Sequence, residues 1–269
     1  MTEDEMKKKQ EFFDKTNAEL DVYLEEIEKN PDDEMAILRY AKKLEINITI
    51  FGMSGSPEGI ALILDRFRKL LQKYGEMTQI QNLFATALAN SMSYLMKKHK
   101  YDTMYERLDE LRMFARTYPM NMSCQRSLAG GLVNSIINFG QRGLLKPIKE
   151  IINELMILGS AHKENQEIQL ALVKGLVNSM GYLSRNGEFE PAIPLLDELM
   201  ELTEQHSNDE DFILQRANGI VTAMNAFAKN DDYVDVVTEL EDELERMAKA
   251  YPDHEGVQLR AKTRTLGRD

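Results

Sequence analysis

The pair asparagine-serine recurs at Asn90-Ser91, Asn134-Ser135 and Asn178-Ser179, each step forty-four residues long, and a further step lands on Thr222-Ala223. Self-similarity at a fixed period of this length restricts a chain to an architecture of stacked, like units. Other columns keep the same step. Leu88, Leu132, Leu176 and Ile220 form one, Met92, Ile136, Met180 and Met224 a second, Leu95, Phe139, Leu183 and Phe227 a third. Within a unit these three columns stand at i, i+4 and i+7, which is one apolar stripe of one helix. A breaker follows each stripe, at Gly55, His99, Gly143, Gly187 and Asp231. A second stripe then begins at Tyr101, Leu145, Phe189 and Tyr233 and continues through Leu108, Ile152, Leu196 and Leu240. The triplet Asp109-Glu110-Leu111 returns as Asn153-Glu154-Leu155 and Asp197-Glu198-Leu199, then one residue late as Asp242-Glu243-Leu244.

These columns predict an all-α chain. The frame is a capping helix over 1–31, five helix pairs at 32–75, 76–119, 120–163, 164–207 and 208–251, and a closing cap over 252–269. Each pair alone exposes an apolar face that its neighbour covers, so the expected fold is a right-handed α-solenoid forming one continuous domain. Pro31, Pro119 and Pro252 mark turns between pairs. Asp32-Asp33-Glu34 and Asp209-Glu210-Asp211 put carboxylates at helix starts, where free N–H groups favour anions. Ala87, Gly131, Gly175 and Gly219 make a column of small residues inside helices. Glycine there costs ~1 kcal/mol relative to alanine, a cost that a closely approaching helix or bound chain would justify. In the closing helix Arg260, Lys262, Arg264 and Arg268 are expected to complement Glu239, Glu241, Asp242, Glu243 and Glu245 of the helix before it.

Composition narrows the functional classes. The 33 Lys and Arg against 45 Asp and Glu give a net charge of −12, which repels nucleic acid. The single cysteine, Cys124, has no partner for an internal disulfide, the opening Met1-Thr2-Glu3-Asp4-Glu5 is acidic, and no apolar run reaches membrane-spanning length. These features predict a cytoplasmic protein with no membrane partner.

With the columns in place, the sequence resembles the tetratricopeptide repeat family. Gly175, Leu176, Asn178, Leu183, Gly187, Phe189 and Ala192 meet that family's spacing of small, large apolar, asparagine, turn glycine, aromatic and alanine positions. Ala87, Leu88, Asn90, Leu95 and Tyr101, and Gly131, Leu132, Asn134, Phe139, Gly143 and Leu145, meet it in part. The likeness covers most of residues 76–251, on a longer period than the family's usual 34 or so; HEAT-type repeats share the longer period. It implies a superhelix of helix pairs whose first helices line a groove, and an asparagine row that holds the backbone of an extended peptide.

The outward columns of the first helices fit that implication. They are Thr86, Asn90, Ser93 and Lys97; Gly130, Asn134, Ile137 and Gln141; Lys174, Asn178, Gly181 and Arg185; and Asn218, Thr222, Asn225 and Lys229, with Asn138 one turn beyond Asn134. None is acidic. An amide offers both a donor and an acceptor, so Asn90, Asn134, Asn138, Asn178 and Asn225 are candidates to pair a peptide backbone. Lys97, Lys174, Arg185 and Lys229 would attract acidic side chains or a terminal carboxylate. The same asparagines could instead bond neighbouring helices and set repeat register. His99, His162, His206 and His254 fall in turns or at helix ends, and no phosphate-binding loop, nucleophile elbow or metal motif is present in the sequence. The expectation is a non-catalytic binding module for a protein or peptide, without cofactor or metal. A self-associating scaffold with an incidental groove is the alternative.

Overall fold

The computed structural model describes residues 3–265, which form twelve α-helices with no strand among the described residues. They are α1 (Glu3–Lys29), α2 (Glu34–Ser54), α3 (Pro57–Tyr74), α4 (Thr78–Lys97), α5 (Tyr101–Thr117), α6 (Met122–Gln141), α7 (Leu145–Ala161), α8 (Gln166–Arg185), α9 (Ile193–Gln205), α10 (Glu210–Phe227), α11 (Val234–Ala250) and α12 (Glu255–Thr265). Short 3-10 turns at Glu190–Ala192 and Asp231–Tyr233 precede α9 and α11. Pro191 and Pro194 explain the first of these, because neither can donate to an α-helical ladder and both are confined to its opening turn.

Helix starts and stops follow local chemistry. Asp33 accepts from the N–H groups of Met35 and Ala36, both at 3.0 Å, and Asp209 from those of Asp211 and Phe212 at 2.9 and 3.3 Å. Four of the breakers share one backbone conformation: Gly55, His99, Gly143 and Gly187 have φ of 70°, 56°, 68° and 80°. The next N–H reaches back five residues to close each helix, from Ser56 to Phe51 O at 2.9 Å and from Lys100 to Leu95, Leu144 to Phe139 and Glu188 to Leu183, each at 3.0 Å.

The chain divides into two compact units, Met1–Gly131 and Leu132–Asp269. In the first, α2 packs on α1, α3 and α4, and α4 on α3 and α5. Leu44, Ile48, Phe67, Leu88 and Met92 are buried there. In the second, α8 packs on α7, α9 and α10, and α10 on α9, α11 and α12. Leu176, Met180, Phe212 and Ile220 are its core. First helices thus contact one another in both units, as α2 does α4 and α8 does α10.

The glycine column is explained by a neighbouring helix. A Cβ on Gly131 would stand 3.0 Å from Leu111 Cδ2, one on Gly175 2.4 Å from Leu155 Cδ2, and one on Gly219 2.1 Å from Leu199 Cδ2. Those leucines close the recurring acidic triplet, so the two motifs are halves of one contact.

A glutamine column performs a second repeated task. Gln81 Nε2 donates to Gly75 O at 2.7 Å, Gln125 Nε2 to Ala115 O at 2.9 Å, and Gln169 Nε2 to Gly159 O at 2.8 Å and His162 O at 3.0 Å. Gln258, displaced by the one-residue insertion, donates to Ala248 O at 2.7 Å and Tyr251 O at 3.1 Å. Each donates to carbonyls at the end of the preceding helix, of which those of Gly159, His162 and Tyr251 also accept a backbone N–H.

The closing helix is seated by Val257, fully buried, and by Arg260 Nε donating to Asn218 Oδ1 on α10 at 2.7 Å. Among the acids expected to face it, Glu243 bonds Arg216 at 2.7 Å and Arg246 at 2.9 Å instead. The side chain of Arg264 and all of Arg268 lie outside the described residues.

Candidate peptide-binding faces

In the first unit, α4 presents Asn90, Tyr94 and Lys97 at i, i+4 and i+7. Asn90 and Tyr94 are half-buried and Lys97 is exposed. The Tyr94 ring lies on Gly52 of α2, where an added Cβ would come within 2.2 Å of its Cδ2. Lys97 Nζ sits 5.9 Å from the centre of the same ring, within range of a cation–π attraction.

The second unit repeats this arrangement on α8. Asn178 and Tyr182 are half-buried and Arg185 is exposed. Tyr182 lies on Gly140 of α6, with a Cβ there only 2.0 Å from its Cδ2, and Arg185 Cζ is 5.9 Å from the ring centre. Burial pushes the Tyr182 phenol above its ordinary value and the nearby Arg185 pulls it partly back, so at neutral pH this hydroxyl is protonated and able to donate. Asn178, Gly181, Tyr182, Arg185 and Val177 of α8 with Thr222 of α10 enclose a small cavity of about 110 Å³. No carboxylate lines it.

The remaining candidates are distributed as follows. Asn178 Nδ2 donates to Lys174 O at 2.8 Å, which commits one donor to its own helix and leaves its second N–H and Oδ1 for other partners. Asn134 is half-buried on α6 and engaged within the chain, while Asn138 is 1% exposed and lies in the interior. Asn225 is exposed on α10, Lys229 is exposed in the turn after it, and Lys174 is exposed on α8. Asn218 is taken by Arg260, and Thr222 Oγ1 donates to Asn218 O at 2.7 Å. The asparagine column therefore contains surface, interior and helix-bonded members.

Tyr94 and Tyr182, with Gly52 and Gly140 beneath them, are the members of this face that the single-period columns pass over. They stand two repeat lengths apart, and the column between them holds Asn138. A comparison at twice the period exposes them.

The histidines serve helix ends. His162 and His206 cap α7 and α9, His206 stacks on Phe212 with ring centres 4.2 Å apart, and His254 Nδ1 accepts from Val257 N–H at 3.4 Å. Cys124 is fully buried and burial raises its thiol to about 11. Among the described residues no group of three or more His, Cys, Asp or Glu is placed to hold a metal ion, and no helix is long and apolar enough to cross a membrane.

The fold and these faces define a class: an all-helical, repeat-built protein. No protein-family model, curated protein or solved structure matches the chain.

Proposed function

We propose that this chain is a non-catalytic protein-interaction module whose first helices bind an extended peptide segment carrying acidic side chains or a terminal carboxylate. In this reading each unit stacks its helices as antiparallel pairs in the right-handed, tetratricopeptide-like manner, and the protein works in the cytoplasm. The observation that carries the reading is the duplicated triad. Asn90, Tyr94 and Lys97 in one unit and Asn178, Tyr182 and Arg185 in the other share one geometry, down to the glycine under the ring and the 5.9 Å cation distance. Each triad offers an amide for a backbone group, an aromatic face for an apolar side chain and a cation for an anion. In a chain of net charge −12, a surface cavity lined without a carboxylate runs against composition. Such a face steers acidic ligands toward itself.

Panning a displayed library of random peptides on the folded protein tests this. Enrichment of acidic peptides that lose binding to the Lys97→Glu, Arg185→Glu double variant, at unchanged melting temperature, is the expected result. Peptides that bind the double variant as well as the parent overturn the reading.

One observation favours self-association as a second reading. Ile46, Ile50 and Met53 form a stripe on α2 that is 42%, 38% and 79% exposed. An apolar stripe of this kind marks a contact surface. Sedimentation across a concentration series, with Met53→Lys as the control, separates the two.

A further inference from the structure

A cavity of about 510 Å³ lies in the first unit among α1, α2 and α3, away from the Asn–Tyr–cation face. Its volume is that of a small-molecule site. Leu24 and Ile27 of α1 with Leu62 and Leu70 of α3 supply apolar walls. One side is a fixed polar wall. Arg66, with its side chain 13% exposed, donates through Nη1 to Tyr40 OH at 3.3 Å and through Nη2 to Asp21 at 2.7 Å and to Asn17. Tyr74 lines the same space, and its hydroxyl is buried with no hydrogen-bond partner. A buried hydroxyl left unpaired is costly unless something else supplies the partner.

The repeat changes what lines the equivalent places. Phe84 occupies the Tyr40 position of the next pair, and it packs on Phe67 at 5.7 Å and Phe114 at 5.0 Å. In the second unit Arg216 stands at the equivalent position beside a smaller cavity of about 270 Å³. There the charges are consumed, since Arg216 pairs with Glu243 and Glu204, and Arg246 with Glu243. The first cavity differs. Its Asp21 is held by Arg66 and its Asp65 by Arg68, whereas Lys69 and Lys73, one turn apart on α3, have no carboxylate partner among the described residues. Lys73 Nζ is instead held 5.1 Å from the centre of the Tyr74 ring. Glu28 is the remaining rim carboxylate, so two free cations face one free anion. An anionic group on a ligand would give Lys69 and Lys73 the partner that the rim does not supply.

We propose that this cavity binds a small amphipathic monoanion, an aliphatic or aromatic monocarboxylate. Its apolar body lies against Leu24, Ile27, Leu62 and Leu70, and its carboxylate meets Lys69 and Lys73. Calorimetric titration of the full chain with octanoate, octan-1-ol and octylammonium tests both halves of the proposal. Octanoate is expected to bind about tenfold tighter than octanol, and octylammonium weakest. Lys69→Gln with Lys73→Gln should bring octanoate to the octanol level and leave octanol unchanged. Leu62→Trp, which fills the cavity, should abolish binding of all three. The proposal is overturned if octanol equals octanoate, if octanoate ignores the lysine changes, or if none of the three probes binds.

Discussion

Gly130 and Gly219 sit in equivalent helices but in opposite surroundings. Nothing lies within 4 Å of a Cβ on Gly130, whereas one on Gly219 would meet Leu199 Cδ2 at 2.1 Å. Gly130→Ala should therefore raise stability by ~0.5–1 kcal/mol through helix propensity alone, while Gly219→Ala should lower it as Leu199 is displaced. Urea unfolding of the two variants checks the difference in sign. Gln169 makes a second residue-scale case. It is 3% exposed and bonds two carbonyls, so Gln169→Leu should cost about 1–3 kcal/mol, and an unchanged midpoint of unfolding would remove its capping role. The period made the glycines legible because a missing side chain inside a helix is anomalous by itself. Glutamine at a helix start is ordinary on a surface, and only the bonds to the previous helix reveal its task.

At the scale of elements, α12 occupies the place of a first helix. It packs on α10 as α10 packs on α8, and Gln258 serves it as Gln169 serves α8. Truncation after Tyr251 should uncover the seat of Val257 and lower the melting temperature, with aggregation on heating; a soluble truncation of equal stability would show that α12 contributes nothing. The link from α3 to α5 is electrostatic. Arg68 bonds Glu110 through Nε at 2.7 Å and Nη2 at 2.8 Å, and Arg107 adds 3.1 Å. Burial opposes ionisation of Glu110, but hydrogen bonding and charge from Arg68, with Arg107 behind it, outweigh burial and hold its carboxyl below the usual 4.5. A depressed folded-state value stabilises above the unfolded one and is lost as pH falls through it. The acid limb of a stability profile below about pH 4.5 should therefore be shallower in Glu110→Gln than in the parent. The turns after α2, α4, α6 and α8 were legible because Gly55, His99, Gly143 and Gly187 break the period where the backbone turns left-handed, which is local chemistry. The partner of Arg68 was not, since a charge in a sequence does not name its counter-ion.

For the molecule as a whole, a net charge of −12 and an isoelectric point near 5.0 keep copies apart at neutral pH. That repulsion vanishes near pH 5.0, where the α2 stripe of Ile46, Ile50 and Met53 is free to act. Light scattering should show association peaking there, and Met53→Lys should reduce it; association unchanged in the variant would locate the contact elsewhere. The sequence predicted one continuous stack because its columns run unbroken through α6, and the structure presents two compact units, Met1–Gly131 and Leu132–Asp269. Periodicity records which positions are alike and is silent on how densely they are surrounded. The candidate face was legible in part for the same reason, its cations and amides falling in single-period columns and its tyrosines in a double one. Those tyrosines also constrain how such a sequence can change over generations. Gly52 cannot acquire a side chain while Tyr94 lies on it, and the same holds for Gly140 beneath Tyr182. Loss of the ring first leaves only a gap, after which the glycine is free to vary. Substitution at these pairs is therefore ordered, ring before glycine, because the glycine change is tolerated only once the ring has gone.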